Sequence, residues 1–161
     1  MTIESFQPLL TSTVFNSGPI VLYIWKNDKN WPLLAISDNI TTHYGYIQSE
    51  YINANTYYQD HIHPEDKERF FQELWSASKA EKTTYEHTAY RYLTKAQHYV
   101  WVKNQTTILY DYENNITHYI GYITNIDFDI KCQQILNTSD TKWQTIMQKQ
   151  GNGLWEYTLK K

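Results

Sequence analysis

The sequence predicts an α+β protein in which a five-stranded antiparallel sheet has helices packed on one face. Two short β-rich segments, 20–25 and 31–37, come early in the chain, and three longer ones, 83–93, 98–110 and 116–126, come late. The strongest helical pattern lies between these groups. Turns short enough for hairpins separate neighbouring strands, so antiparallel pairing is the simplest arrangement, and the helices then cover one face.

The first elements are a weak helical pattern and a β-hairpin. Residues 4–16 show the helical pattern, which Pro8 interrupts. Gly18 and Pro19 then mark a boundary before the first strand. The polar cluster KNDKN predicts the turn that leads into the second strand. Residues 38–61 mix polar residues with short apolar pairs, which predicts short helical turns, with Asp38 or Asn39 as a helix cap.

The segment HPEDKERFFQELWSASKAE is the best helix in the chain. Pro64 suits the first helical position, and the two acidic residues after it suit the positive end of the helix dipole. Phe70 with Leu74, and Phe71 with Trp75, recur at a spacing of four residues and predict one apolar stripe. We expect this stripe to pack on the sheet.

The late strands are rich in β-branched and aromatic residues. Asn114 and Asn115 lie between the last two strands and tolerate a positive φ, which favours a tight hairpin.

After Ile126 the strand pattern stops. Phe128, Cys132 and Ile135 share one helical face and predict a connector helix over 128–140, ended by NTSDT. A capping box at Thr141 predicts another helix. The tail GNGLWEYTLKK then begins like a strand. When it is shifted by 133 residues it matches the start of the first strand, which predicts a tandem array.

Composition excludes several classes of protein. The formal charge is −3 and the 14 basic residues are scattered, so we expect no nucleic-acid binding. Cys132 is the only cysteine, which excludes an intrachain disulfide and a multi-cysteine zinc site. The sequence has neither a signal peptide nor a membrane-spanning run, so we expect a cytoplasmic location and no membrane contact by this piece.

Three motifs together resemble PAS domains. WPLLAISDNITTHYGY is similar to the second strand and following turn of that family, and IHPEDKERF to the opening of its long helix. YRYLTKAQHYVWVKNQTTILYDYENNITHYIGYITNID resembles its paired strands and its closing strand. The resemblance runs from about residue 14 to 127 in the right order. The tail also looks like the first strand of a further PAS domain.

The resemblance implies four parts of the chain. Residues 1–13 form an N-terminal helical segment, 14–127 the PAS domain, 128–140 the connector and 141–161 the truncated start of a second PAS-like domain. Two features depart from the family pattern. TKAQ replaces the usual Asp-Gly hairpin. The family's signalling triplet Asp-Ile-Thr is replaced by Asn125, Ile126 and Asp127, and Asn125 cannot form the salt bridge of an aspartate.

By resemblance, the chain is a sensory input module. It would bind a small ligand or cofactor and relay its state to a downstream output domain in cis. A diguanylate cyclase in cyclic-di-GMP signalling, or a histidine kinase in two-component signalling, would be such an output domain. The alternative is a PAS module that binds no ligand and serves for dimerisation or protein docking.

The resemblance places the ligand between the concave sheet face and the helical middle. Aromatic side chains with polar atoms suit a small organic ligand with hydrogen-bonding groups. For each of these aromatics, an ordinary place in the core is an equally good interpretation. The candidate lining residues are Tyr44, Tyr57, His61, Phe71, Trp75, Tyr90, Trp101 and Tyr119. The candidate relay residues are Asn125, Ile126 and Asp127.

Cofactor chemistry has few candidates in the sequence. His61 and His63 resemble half of a metal site, but the helix start already explains this segment, so we expect no metal. Haem-binding relatives use a histidine near this helix, which makes His61 or His63 a candidate axial ligand. A flavin photoadduct is not expected, because Cys132 follows the sheet. Nucleophile-elbow and phosphate-loop motifs are absent, so we expect no catalysis by this piece.

The connector has two interpretations. The stripe of Phe128, Cys132 and Ile135 would pair with a second chain in a parallel homodimer, or it would pack on the sheet of its own chain.

Overall fold

The computed structural model describes residues 6–29, 31–52 and 57–150. The chain divides into two units, residues 1–126 and 127–161, which we describe separately.

The first unit is built on one antiparallel sheet. Its strands are β1 (Ile20–Lys26), β2 (Leu33–Ile36), β3 (Thr84–Leu93), β4 (Tyr99–Tyr110) and β5 (Ile116–Asn125). The spatial order is β2-β1-β5-β4-β3, and every neighbouring pair is antiparallel. The predicted α+β fold and the five predicted strands are therefore confirmed. Asn114 has φ 63°, as its place in the last hairpin predicts.

Short helices precede and follow the first hairpin. They are α1 (Gln7–Leu10), α2 (Thr13–Asn16), α3 (Ile40–Tyr44), α4 (Gln48–Ile52) and a 3₁₀ helix (Tyr58–His61). Pro8 lies inside α1, and the helical pattern breaks after Leu10 instead. Asn39 precedes α3 but forms no capping bond. Its side-chain amide instead donates to the carbonyl groups of Phe15, Gly18 and Ile20, at 3.1, 3.2 and 2.7 Å.

The long helix α5 (Pro64–Lys79) begins where the sequence predicts. Pro64 is its first residue, and the side chain of His63 accepts a hydrogen bond from the Glu65 amide at 3.3 Å. The main-chain N–H of His63 also donates to the Arg91 carbonyl on β3, at 2.9 Å. The start of α5 is thus fixed to the edge strand of the sheet.

Alternation along the strands separates two faces. On β4, Val100, Val102, Asn104, Thr106 and Ile108 are buried, whereas the residues between them are exposed or half-buried. The buried side belongs to the main core, which the helices cover. A smaller cluster of Leu10, Ile24 and Ala35 covers part of the other face, together with partly buried neighbours from the residue before α1 and from β1, β2 and β5.

Gly121 on β5 allows one core tyrosine to lie flat across the sheet. A Cβ atom at this position would lie 2.5 Å from the Tyr23 hydroxyl and against the Gln105 carbonyl oxygen. No side chain fits in that space, so this strand position requires glycine.

The second unit contains α6 (Asp127–Gln150), a single helix. The predicted break at NTSDT is therefore wrong. Threonine side chains bond to carbonyl groups one turn back, Thr138 to Gln134 and Thr141 to Asn137, both at 2.7 Å. Those bonds satisfy the hydroxyl groups inside the helix, so threonine need not end it. The predicted strand at 151–161 lies outside the described residues.

Candidate functional site

Helix α5 packs over the sheet, and its apolar residues divide into two groups. Phe70 and Leu74 are almost completely buried, as predicted. Phe71 is half-buried and Trp75 is 53% exposed, so the predicted single stripe has a buried and an outer part. The outer pair stacks with ring centroids 6.0 Å apart.

Beneath α5 lies a chain of buried hydrogen bonds that we call the tyrosine network: Tyr23, Tyr58, Tyr90, Asn104 and Thr106. The hydroxyls of Tyr58 and Tyr90 are 2.5 Å apart, and the Asn104 amide donates to Tyr90 at 2.8 Å. The Tyr23 hydroxyl donates to the Asn104 side-chain oxygen at 2.6 Å and lies 3.0 Å from the Thr106 hydroxyl. Each member therefore has a partner, and burial raises the pKa of the three phenols, which keeps them protonated.

A second group, which we call the histidine cluster, lies where the 3₁₀ helix meets α3 and α4: Tyr44, Tyr46, Tyr51, His61 and Tyr92. The Tyr46 and Tyr51 rings pack on His61 with centroids 4.7 and 5.1 Å away. The hydroxyls of Tyr51 and Tyr92 bond to each other, and the Tyr46 hydroxyl donates to the Leu93 carbonyl at 3.1 Å.

Two members of the histidine cluster are buried without a hydrogen-bonding partner among the described residues. They are Tyr44, at its hydroxyl, and His61, at both ring nitrogens. His61 is only 7% exposed. Burial lowers its pKa to about 4, so the imidazole is neutral near pH 7 and offers one donor and one acceptor.

A cleft opens beside α5. Its other sides are β1, the loop that follows β1, and the 3₁₀ helix. Its empty space is about 250 Å³, including a mouth that is open to solvent. The space in the cleft that water can occupy is about that of one water molecule. Trp25, 4% exposed, is one of its walls, and the indole N–H has no partner in the described part of the chain. The lining residues are Trp25, Trp31, Tyr57, Tyr58, Gln59, Phe70 and Phe71.

The predicted lining residues fall in different places. Tyr44, His61, Tyr90 and Tyr119 belong to the buried interior under the helices. Tyr57 and Phe71 line the cleft, and Trp75 stacks on Phe71. Trp101 lies on the opposite face of β4, between the inward-facing Val100 and Val102, so its predicted place at the interior is wrong.

Trp101 takes part in a different arrangement. The guanidinium carbon of Arg91 lies 5.6 Å from the centre of the Trp101 ring. Arg91 also donates to both oxygens of Asp66, at 2.9 and 3.0 Å, and to Glu65 at 2.8 Å. The carbonyl of Trp101 in turn accepts a 2.9 Å hydrogen bond from the amide of Ile126. These contacts connect the start of α5 to the end of the sheet.

His87 on β3 is buried and forms a hydrogen bond with Glu73 of α5. The His87 ring stacks on Phe70 at 4.0 Å, and its Nδ1 lies 2.8 Å from a Glu73 oxygen. Burial lowers the pKa of His87 to about 4, although Glu73 opposes this shift. Burial alone would raise the pKa of Glu73, but hydrogen bonds with Thr88, His87 and Arg69 hold it below its usual value.

Sequence reasoning missed several interior residues that alternation was able to reveal. Asn104 and Thr106 share the parity of Val100, Val102 and Ile108 on β4, which places them on the inner face. The same parity places Trp101 on the outer face. Within the described ranges, no three His, Cys, Asp or Glu side chains lie close enough together to hold a metal ion. No described helix is both long and apolar enough to cross a bilayer.

The arrangement of a five-stranded antiparallel sheet under short helices and one long helix defines a class of α+β domains. The model of the PAS fold family matches residues 33–123, more than half of the chain. The chain therefore belongs to the PAS fold family. PAS domains do not themselves catalyse reactions, so this part of the protein is not an enzyme.

Individual relatives agree with that assignment. The methyl sulfide methyltransferase-associated sensor of Methanosarcina acetivorans is 29% identical over 113 residues, which are 70% of this chain and 11% of the relative. The chain thus spans about a tenth of the length of that curated relative.

Two solved structures show the same fold. A sensory box histidine kinase/response regulator from Burkholderia thailandensis aligns with TM-score 0.63 and 18% identity, over 85% of this chain and 97% of that one. The N-terminal domain of a diguanylate cyclase with PAS/PAC sensor from Marinobacter aquaeolei aligns with TM-score 0.58 and 19% identity, over 68% and 97%.

Proposed function

We propose that residues 14–127 form a PAS input module that takes up a small organic molecule between sheet and helices. The module relays the bound state through residues 125–127 to an output domain of the same protein. The relationship to a sensor and the fold shared with kinase and cyclase input domains support this proposal. A histidine kinase or diguanylate cyclase output, and a cytoplasmic location, remain predictions. The start of a second PAS domain at 141–161 also remains a prediction.

One observation carries the ligand proposal: buried polar atoms facing the interior lack partners. These atoms are the Tyr44 hydroxyl, both His61 nitrogens and the Trp25 indole N–H, each without a partner in the described ranges. A buried polar group without a hydrogen bond costs roughly 1–3 kcal/mol. The neighbouring tyrosine network leaves no such group, so the fold is able to satisfy its interior. A bound molecule with both donors and acceptors would remove this cost.

The interior favours a small organic ligand over haem. His61 is neutral, as an axial ligand must be, but the rings of Tyr46, Tyr51 and Tyr92 lie 4.7–5.5 Å from it. A porphyrin does not fit beside a histidine enclosed in this way. His63 is already engaged, because its ring nitrogen caps α5 and its ring packs on Tyr99 at 4.6 Å.

Native mass spectrometry of the purified chain tests ligand uptake. We expect a population heavier than the polypeptide by the mass of one small molecule, which denaturation releases. The double variant Tyr44→Phe with His61→Phe removes the unpartnered atoms of the histidine cluster and is expected to reduce that population. If wild-type protein carries no added mass and none of a broad set of metabolites raises its melting temperature, the ligand proposal is wrong.

For the relay we propose the contacts from α5 through Arg91 and Trp101 to Ile126. The guanidinium group of Arg91 donates hydrogen bonds to Asp66 and Glu65 and lies over the Trp101 ring. The Trp101 carbonyl in turn accepts a hydrogen bond from the Ile126 amide, just before α6. A shift of α5 on ligand binding therefore acts on the end of the sheet. This replaces the salt bridge that Asn125 cannot form.

Amide hydrogen exchange at Ile126 tests the relay. Arg91→Lys keeps the charge but loses the planar fork and the cover over Trp101. We expect exchange of the Ile126 amide to rise about fivefold, the equivalent of about 1 kcal/mol. Lys103→Met, on the same outer face, is the matched control and leaves that amide unchanged. Equal exchange in the wild type and Arg91→Lys would remove Arg91 from the relay.

The alternative function is dimerisation or docking without a ligand. It is favoured by apolar residues on α6 that are exposed within this chain, Phe128 at 77% and Ile135 at 69%. A homodimer through this helix is compatible with ligand binding. Light scattering of the chain with Ile135→Lys and Leu136→Lys, against Gln133→Lys as control, tests it. A wild-type protein that stays monomeric at high concentration would contradict the dimer.

A further inference from the structure

We propose that the cleft beside α5 binds an uncharged planar aromatic ring that carries a hydrogen-bond acceptor in its plane. The inference rests on the proposed function, because it names a ligand class for the part of the binding region that contains Trp25. The acceptor would bond to the indole N–H of Trp25.

The walls of the cleft are aromatic rings. Trp31 and Phe71 stack with centroids 5.1 Å apart and planes 28° from parallel, and Trp25 contacts Tyr58 at 4.7 Å. Aromatic rings pack against other rings by offset stacking or by edge-to-face contact, and both geometries are present here. The aromatic walls of the cleft therefore favour a flat ligand over a branched aliphatic one.

Trp25 determines which hydrogen-bonding group the ligand must carry. The indole N–H is a donor only, so it requires an acceptor from the ligand. It is buried in the wall of the cleft and has no partner in the described ranges of the chain. A ligand without an acceptor would leave this N–H unsatisfied, which lowers the affinity of a site built on hydrogen bonding.

The lining excludes a strong charge preference. No Asp, Glu, Lys, Arg or His side chain is among the lining residues, whose polar groups belong to Gln59, the two tyrosines and the indoles. A carboxylate or phosphate on the buried part of the ligand would lose its hydration without a counter-charge, which is costly.

The dimensions limit how the ring enters. The empty space of about 250 Å³ includes the mouth that is open to solvent, and the space in the cleft that water can occupy is about that of one molecule. A ring of one or two fused cycles therefore lies in the mouth against Trp31 and Phe71 and directs its acceptor towards Trp25.

Tyr58 connects this cleft to the tyrosine network. Its ring lines the cleft, and its hydroxyl lies 2.5 Å from that of Tyr90. A ring bound in the mouth therefore contacts a side chain whose other end is fixed inside the interior.

A matched pair of probes tests the ligand class. Quinoline has a ring nitrogen that accepts a hydrogen bond, whereas naphthalene has the same shape without it. The ¹H–¹⁵N resonance of the Trp25 indole, assigned with Trp25→Phe, is followed on the full chain. We expect quinoline to move this resonance and to bind about threefold to tenfold more tightly than naphthalene. In Trp25→Phe this preference is lost.

Two further variants control for folding. Trp31→Ala removes a wall and is expected to weaken both probes alike. Tyr122→Phe, on the opposite face of the sheet and outside the relay, leaves both affinities unchanged. Equal affinities for the two probes in the wild type, or a Trp25 resonance that does not respond, would overturn the ligand class. Absence of any co-purifying or stabilising molecule would overturn the proposed function instead, so the two failures are distinguishable.

Discussion

The tyrosine network and the histidine cluster occupy the same interior and use similar side chains, but they treat their polar atoms differently. In the network, Asn104 joins the hydroxyls of Tyr23 and Tyr90, and each group has a partner. In the cluster, Tyr44 and His61 are equally buried and lack partners in the described part of the chain. The comparison indicates that the network supports the fold, whereas the cluster keeps polar atoms that the described part of the fold does not satisfy.

The largest expected effect is the pH dependence of the free energy of unfolding that the two buried histidines cause. His61 and His87 have a pKa of about 4 in the folded protein and about 6.5 when unfolded. Between these values the unfolded chain binds more protons, so stability is fully present above pH 6.5 and is lost as pH falls towards 4. Each histidine contributes about 3 kcal/mol to this loss.

Urea unfolding from pH 7.5 to 4.5 measures that slope. Among the charged groups facing His61, Asp60 raises its pKa and Lys67 lowers it. For His87, Glu73 raises the pKa and Arg69 lowers it. His61→Phe is expected to remove about half of the slope and leave the His87 part. A free energy of unfolding that does not change between pH 6.5 and 4.5 would contradict the neutral, buried state of both rings.

The next effect tests whether the network supports the fold. Asn104→Ala removes the side chain between Tyr23 and Tyr90 and leaves both hydroxyls short of a partner. We expect a loss of about 3 kcal/mol in the free energy of unfolding. Gln105→Ala is the matched control on the outer face, where only the Tyr122 hydroxyl loses a partner, at a cost of less than about 1 kcal/mol. Equal losses for the two variants would remove the distinction between the faces.

The smallest effect compares two tyrosines directly. Tyr90→Phe deletes a hydroxyl bonded to Tyr58 and Asn104 and is expected to cost about 1–2 kcal/mol. Tyr44→Phe deletes a buried hydroxyl without a partner among the described residues and is expected to raise the free energy of unfolding by about 1 kcal/mol. Denaturant midpoints at one pH distinguish them. A Tyr44→Phe loss as large as that of Tyr90→Phe would mean that Tyr44 belongs to the network.

Much of the fold follows from local rules in the sequence. Runs rich in β-branched and aromatic residues predict the strands, Pro64 predicts the start of α5, and Asn114 predicts the last hairpin, because each depends on near neighbours. The continuous α6 was missed, because threonine bonds back to its own helix as readily as it ends one. The sheet face on which Trp101 lies was also predictable from its position in the inward–outward alternation along β4. Composition alone does not contain that information.

The unpartnered groups were beyond sequence reasoning for a physical reason. Whether Tyr44, His61 or Trp25 has a partner depends on which polar atoms the fold brings within 3.5 Å, and those atoms come from distant parts of the chain. Tyr90 illustrates this dependence, since its partners lie 32 and 14 residues away. A tyrosine in the network and one in the cluster look identical in the sequence.

The pairing of the first strand with the last has a mechanical consequence. Ile20 at the beginning of β1 pairs with Thr124 at the end of β5, and the Thr124 hydroxyl donates to the Pro19 carbonyl at 3.3 Å. The points at which the chain first enters and finally leaves the sheet are therefore adjacent, on two paired inner strands. Tension applied between them would peel these two strands apart one hydrogen bond at a time instead of shearing the whole ladder, so such a domain should yield at low force when it is stretched between its flanking segments.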